Sequence, residues 1–352
     1  MATEPRWSRQ SGTFGSSAEL TSELVRTYVR GLQGMRLGPD SVAAMVKRFP
    51  GGGPQKDGED PHFAHGKEQI YPGGMREYHL QPFKAAVEAG CSQVMPYYGQ
   101  PIGTDWGLLT DAPVLGELFP ARAWGAEHLT VAERAAKALN AGSDQFGGEQ
   151  CPEVIVELVR SGRVTEARID ESLRRLLREK FTLGLFEHPY VDPDRAEETV
   201  GAGEFTALGE AAQRRSLTVL TNHELLPLDG RPNLYVRGIS EQVAAAYGNV
   251  VPDPVDADLA VLRLLDAVPT LVCVSLERPA VLPEIAAKAA ALVPDYGASD
   301  TALLDVAFGR ARAQGRLPFE LPHSMAAVEA SRPDVPDDTE DPVFPYGHGL
   351  NL

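Results

Sequence analysis

Apolar residues recur along this chain with two periods, and the two alternate. Over residues 18–32, Leu20, Leu24, Tyr28 and Leu32 repeat every four positions on one helical face, and Gly34 follows as a stop signal. A short apolar run at 41–46 then predicts a strand. It runs into Lys47, Arg48, Phe49, Pro50 and three glycines, a loop that cannot continue as helix. The pattern repeats with a helix over 82–89, a strand over 92–95 and a loop beginning at Pro96. It repeats again with a helix over 131–140, a turn at Ala141 and Gly142, and a strand over 143–146 before Gly147 and Gly148. Helix, short strand and Gly-rich loop in succession predict a β/α-barrel, whose reactive side chains sit on loops after the C-terminal ends of the strands.

Helices over 153–160 and 166–181 close this part. The Pro- and Asp-rich stretch 187–194 lacks periodicity and reads as a linker. We place a first domain at 1–188, a linker at 189–204 and a second domain at 205–352. The second contains a helix over 205–215, strands over 217–221, 234–238, 258–264 and 270–275, and helices over 283–292 and 300–308. The predicted fold class is therefore α/β, an incomplete (β/α) barrel followed by an α/β sandwich.

The barrel is short of units. Eight strand–helix pairs close a barrel, and residues 1–186 offer about half that number. Between Tyr98 and the loop beginning at Thr104 lie only five residues, too few for a parallel crossover with a helix. The same shortage follows residue 264, where five residues precede the next strand. Either those two strands form an antiparallel hairpin or a crossover has been cut out.

Composition removes several function classes. An apolar content of 43% supplies two cores, and 33 basic against 49 acidic residues give a net charge of −16 with no basic arm, so no nucleic-acid partner is expected. Three separated cysteines do not make a disulfide scaffold. No run approaches eighteen apolar residues and the first residues contain no apolar leader, so the chain reads as cytoplasmic with no membrane partner. Neither His nor Cys shows metal-ligand spacing, and no Gly-Lys-Ser/Thr follows the glycine run, so no metal and no cofactor are expected.

Six motifs stand in a telling order. They are Pro5-Arg6-Trp7-Ser8-Arg9, Lys47-Arg48-Phe49-Pro50-Gly51-Gly52-Gly53, Met95-Pro96-Tyr97-Tyr98, Thr104-Asp105-Trp106-Gly107, Gly315-Arg316-Leu317-Pro318-Phe319 and Phe344-Pro345-Tyr346-Gly347-His348-Gly349-Leu350. The set resembles family 3 glycoside hydrolases of the β-glucosidase type, with N-terminal and internal deletions. That resemblance implies a barrel followed by an α/β sandwich and a β-glucoside or oligosaccharide substrate. It makes Asp105 the nucleophile of a retaining reaction, in which one carboxylate attacks the anomeric carbon and a second group shuttles the proton. It also places Arg9, Lys47 and Tyr98 on sugar hydroxyls. Position 48 departs from the family, which usually has His there; Arg48 is bulkier and permanently charged. Trp106 is suited to stacking on a sugar face.

For the proton shuttle, no Glu matches the β-glucosidase branch. An Asp-x-His pair like that of the N-acetylhexosaminide branch does occur, as Asp60 and His62, where an Asp-oriented imidazole would serve. Asp144 is a further carboxylate with a possible place at the barrel mouth. The alternative to an active glycosidase is a catalytically impaired remnant with weak sugar binding. Lost strands would expose apolar surface that association into a homo-oligomer would cover.

Overall fold

The computed structural model describes residues 1–61, 63, 68–97, 99–103, 128–146, 150–262 and 270–351. The chain divides into two compact units. The first comprises Met1–Val191 together with Arg332–Pro336, and the second comprises Asp192–Ser331 with Asp337–Leu352.

In the first unit, helix α1 (Ala18–Gln33) starts where the Ser17 hydroxyl accepts from Leu20 N–H and stops at Gly34, whose φ is 73°. Its buried face is not the predicted Leu stripe. Ala18, Thr21, Ser22, Val29 and Gln33 are buried, whereas Leu24 and Leu32 are exposed and Tyr28 is 62% exposed. Small residues let α1 approach helix α2 (Arg76–Glu88) closely. Helix α2 begins six residues before the predicted start at Pro82. That proline lies inside it, because loss of one backbone donor does not stop a helix held by tertiary packing.

Strands β1 (Met45–Phe49) and β3 (Gln93–Pro96) pair in parallel, and β2 (Glu68–Gln69) pairs in parallel with β4 (Gln100–Pro101). Lys47 and Arg48, predicted to open a loop, belong to β1. Among the described residues no closed barrel forms, and Met45 and Val94 on the β1–β3 pair are 51% and 43% exposed. Residues 143–146, predicted as a strand, join no ladder among the described residues. Helix α3 (Val131–Asn140) carries a reciprocal capping box between Thr130 and Glu133, which fixes its first turn. It packs with α4 (Pro152–Arg160) around Ala135, Leu139, Leu158 and Val164, and α5 (Glu166–Thr182) follows.

The span 189–204 contains a helix, α6 (Pro193–Thr199), capped by the Asp192 carboxylate, and α7 (Gly203–Ser216) succeeds it. The second unit is a six-stranded sheet in the order β5-β10-β9-β8-β6-β7. These strands are β5 (Thr221–Asn222), β6 (Asn233–Arg237), β7 (Asn249–Val250), β8 (Leu259–Leu262), β9 (Thr270–Ser275) and β10 (Ala291–Asp295). All neighbours run parallel except the edge pair β5–β10. Side chains alternate across it: Leu271 and Cys273 enter one core with Val261 and Val293, while Val272 and Leu292 enter another. Helix α8 (Asp300–Ala307) covers the first of these cores.

Two predictions change here. Strands β8 and β9 are parallel, so they are not a hairpin. The predicted helix over 283–292 ends at Lys288, and Leu292 lies in the wholly buried strand β10. Pro294 is tolerated in that strand because β5 pairs only with Ala291 and Leu292, leaving Pro294 past the end of the edge. The two C-terminal motifs fasten to each other. Leu317 N–H donates to His348 O, Gly347 N–H to Leu317 O, and Leu350 N–H to Val219 O. A Cβ on Gly315 would lie 2.2 Å from Ser216 O, and one on Gly349 2.6 Å from Gly315 O, so only glycine fits either place.

Candidate active site

The first unit gathers its chemistry where β1 and β3 end. Between Lys47 and Phe49 the register against β3 slips, and Arg48 takes a φ of 73°. This bulge turns the Arg48 guanidinium onto two rings, 5.4 Å from the Trp7 centroid and 5.2 Å from that of Tyr97. The rings meet edge to face at 6.3 Å and are buried with Ala2. Burial pushes the Tyr97 phenol up, against the opposing pull of Arg48.

The glycine run after β1 is a close approach rather than a phosphate loop. A Cβ on Gly52 would lie 2.7 Å from Trp7 Cη2 and 3.3 Å from Tyr97 Cε1; one on Gly53 would lie 3.0 Å from the Ala2 Cα. Glu4 N–H donates to Gly53 O at 3.0 Å, and Gln69 Nε2 donates to Gly51 O. Arg6 clasps the fully buried Glu4 carboxylate through Nε and Nη2, at 2.8 and 3.0 Å. The N-terminal segment is thereby fastened against the loop.

Arg9 follows two residues after Trp7. Its Nε donates to Asp60 Oδ2 at 2.6 Å, and Asp60 is buried while Arg9 is half exposed. The two terminal nitrogens of Arg9 make no hydrogen bond among the described residues, so they remain free to donate elsewhere. Lys47 is exposed, and its ammonium has no partner among the described residues. The structure thus brings Arg9 to Asp60 and Arg48 to Trp7 and Tyr97. Asp105, His62, Tyr98 and Trp106 lie outside the described residues.

Asp144 is turned away from such a role. It accepts from Ser172 Oγ at 2.7 Å, Arg175 Nη1 at 3.1 Å and Arg168 Nη2 at 3.3 Å, tying the end of α3 to α5. Burial pushes its carboxyl up, but the Ser172, Arg175 and Arg168 hydrogen bonds outweigh this and hold it below the usual range. Among the described residues no group of three His, Cys, Asp or Glu is placed to hold a metal ion, and no helix is long and apolar enough to cross a membrane.

One arrangement had no signal in the sequence. Asp334, from the segment Arg332–Pro336, accepts from Gly73 N–H and Met75 N–H, both at 2.8 Å, just before α2. Its carbonyl faces Nε2 of the buried His79 at 2.9 Å, and Thr3 Oγ1 donates to Pro333 O. A local pattern does not reveal partners about 255 residues apart.

Comparison with known proteins gives a consistent result. The description "Glycosyl hydrolase family 3 N terminal domain" matches residues 1–179. "Probable beta-glucosidase C" of Aspergillus flavus is 45% identical over 419 aligned positions, covering 100% of this chain and 66% of the relative. "Beta-glucosidase C" of Emericella nidulans is 44% identical over 420 positions, covering 99% and 68%. The chain thus spans about two thirds of these relatives' length. Since 419 positions accommodate 352 residues, the relative carries internal residues that this chain lacks. A β-glucosidase from Listeria innocua, solved with isofagomine, matches 100% of this chain and 65% of its own with a TM-score of 0.80 at 20% identity, which is a likeness of fold.

Proposed function

Since the chain belongs to glycosyl hydrolase family 3, we propose that it releases a terminal β-linked glucose-type sugar with retention, Asp105 attacking the anomeric carbon. The observation that carries this reading is the Arg9–Asp60 pair: a buried carboxylate aims a half-exposed guanidinium whose free nitrogens suit a polyol, on the same N-terminal segment as Trp7. Lys47, in the middle of β1, adds an exposed cation with no partner among the described residues. A neutral sugar is held by such donors through its hydroxyls, which leaves the reaction itself to a carboxylate and a proton shuttle. In our reading His62 is that shuttle, with Asp60 as its orienting carboxylate. A chromogenic aryl β-glucoside tests the assignment. Turnover is expected to be abolished in Asp105→Ala, and unchanged turnover in that variant ends it.

A second reading, an impaired remnant with at most weak sugar binding, has its own support. The relatives carry internal residues absent here, and the parallel β1–β3 pair leaves Met45 and Val94 half exposed where a full barrel would cover them. Glucose binding without any turnover by the unaltered chain is the result this reading expects.

A further inference from the structure

The imidazole of His79 lies directly beneath the loop that follows β1. A Cβ on Gly53 would stand 3.2 Å from His79 Cε1, and one on Gly51 3.7 Å from His79 Cβ. The same imidazole faces the Asp334 carbonyl through Nε2 at 2.9 Å, so Nε2 carries the proton and Nδ1 is bare. Nδ1 is buried without a hydrogen-bond partner among the described residues. Tyr71 and Tyr78 close the sides with rings edge-on at 5.8 and 6.1 Å. Asp334 is itself immobilised by Gly73 N–H and Met75 N–H. The loop above His79 continues directly from Lys47 and Arg48, bears Gly52 against Trp7 and Tyr97, and gives Gly53 O to Glu4.

We propose that His79 is a positioning residue: held by the Asp334 carbonyl, it fixes the Gly51–Gly53 loop and so the places of Lys47, Arg48, Trp7 and Arg9 toward the sugar. The proposal rests on the glycosidase reading for what the loop positions, and on the geometry alone for the loop's being held. A core histidine with no such role would affect stability but not the sugar's fit.

Two variants separate these cases. His79→Leu keeps volume and removes the donor; His79→Gln restores an amide N–H at similar reach. With an aryl β-glucoside, folded His79→Leu is expected to raise KM and lower kcat/KM by about 100-fold, the scale of a misplacement near 1 Å, and His79→Gln to recover most of that loss. Hydrogen exchange at Glu4 and Ile70, whose amides donate to Gly53 O and Pro54 O, is expected to quicken about tenfold in His79→Leu and not in His79→Gln. Wild-type KM together with unchanged exchange in folded His79→Leu overturns the proposal. Should the unaltered chain neither bind nor turn over sugar, the glycosidase reading fails by itself, and exchange at the two amides then decides whether His79 holds the loop. Should His79→Leu not fold, His79→Asn serves, its shorter amide falling out of reach of the Asp334 carbonyl: quickened exchange at Glu4 and Ile70 supports the proposal, and wild-type exchange overturns it.

Discussion

Acidification is expected to weaken the first unit through His79. Burial lowers this imidazole to about 4; the hydrogen bond to the Asp334 carbonyl pulls the other way, the Met1 amine adds to the lowering, and the Asp334 carboxylate opposes it. In the unfolded chain a histidine titrates near 6.5. Between about 6.5 and 4 the unfolded chain therefore binds a proton that the folded chain refuses, so stability falls as pH falls through this window. Above about 6.5 both forms are neutral and the contribution is complete; below about 4 both are protonated and the loss levels off. At 1.36 kcal/mol per pH unit the window costs about 3 kcal/mol, a large part of an ordinary domain's stability. All three tryptophans, Trp7, Trp106 and Trp124, precede residue 191, so fluorescence excited selectively at tryptophan during urea unfolding reports the first unit. Midpoints at pH 7.5, 5.5 and 4.5 for the unaltered chain and His79→Gln should diverge, the former losing about 3 kcal/mol more. Equal losses in both chains, or an imidazole resonance titrating near 6.5, would refute the reasoning.

Gly52→Ala should destabilise the first unit by about 1–3 kcal/mol, because the new methyl would meet the buried Trp7 ring at 2.7 Å; a raised urea midpoint, as expected at an unconstrained glycine, would show that the ring yields freely. Asp144→Ala strips the Arg168 guanidinium and Ser172 of a shared acceptor and should lower the same midpoint by about 1–3 kcal/mol, whereas an unchanged midpoint would make this network ornamental.

Local chemistry made some elements readable and distance hid others. Helix α3 was legible to the residue because Thr130 and Glu133 form a capping box within one turn, and β9 because six residues of β-rich sequence end against Pro269. Strand β10 was misread because Ala286 to Leu292 is rich in good helix formers, and pairing with β9 overrides that propensity. The α1 stripe misled for the opposite reason: periodicity tells that a face is apolar, not that a partner covers it. At the site, Arg9, Asp60, Lys47 and Arg48 were all singled out from motifs, but not their pairing. A φ of 73° at Arg48 and the packing of Gly52 on Trp7 depend on contacts made after the chain has folded. His79 and Asp334 carried no local signal at all.

The return of Arg332–Pro336 to the first unit has a consequence for synthesis. About 140 residues separate Val191 from Arg332, and at 5–20 residues per second the ribosome needs roughly 7–28 s to traverse them. Throughout that interval the amides of Gly73 and Met75 and the imidazole of His79 lack the partner that later completes them. The leading unit is thus discontinuous along the gene, and a chain terminated at the apparent border near residue 191 would be chemically unfinished however long it was left to fold.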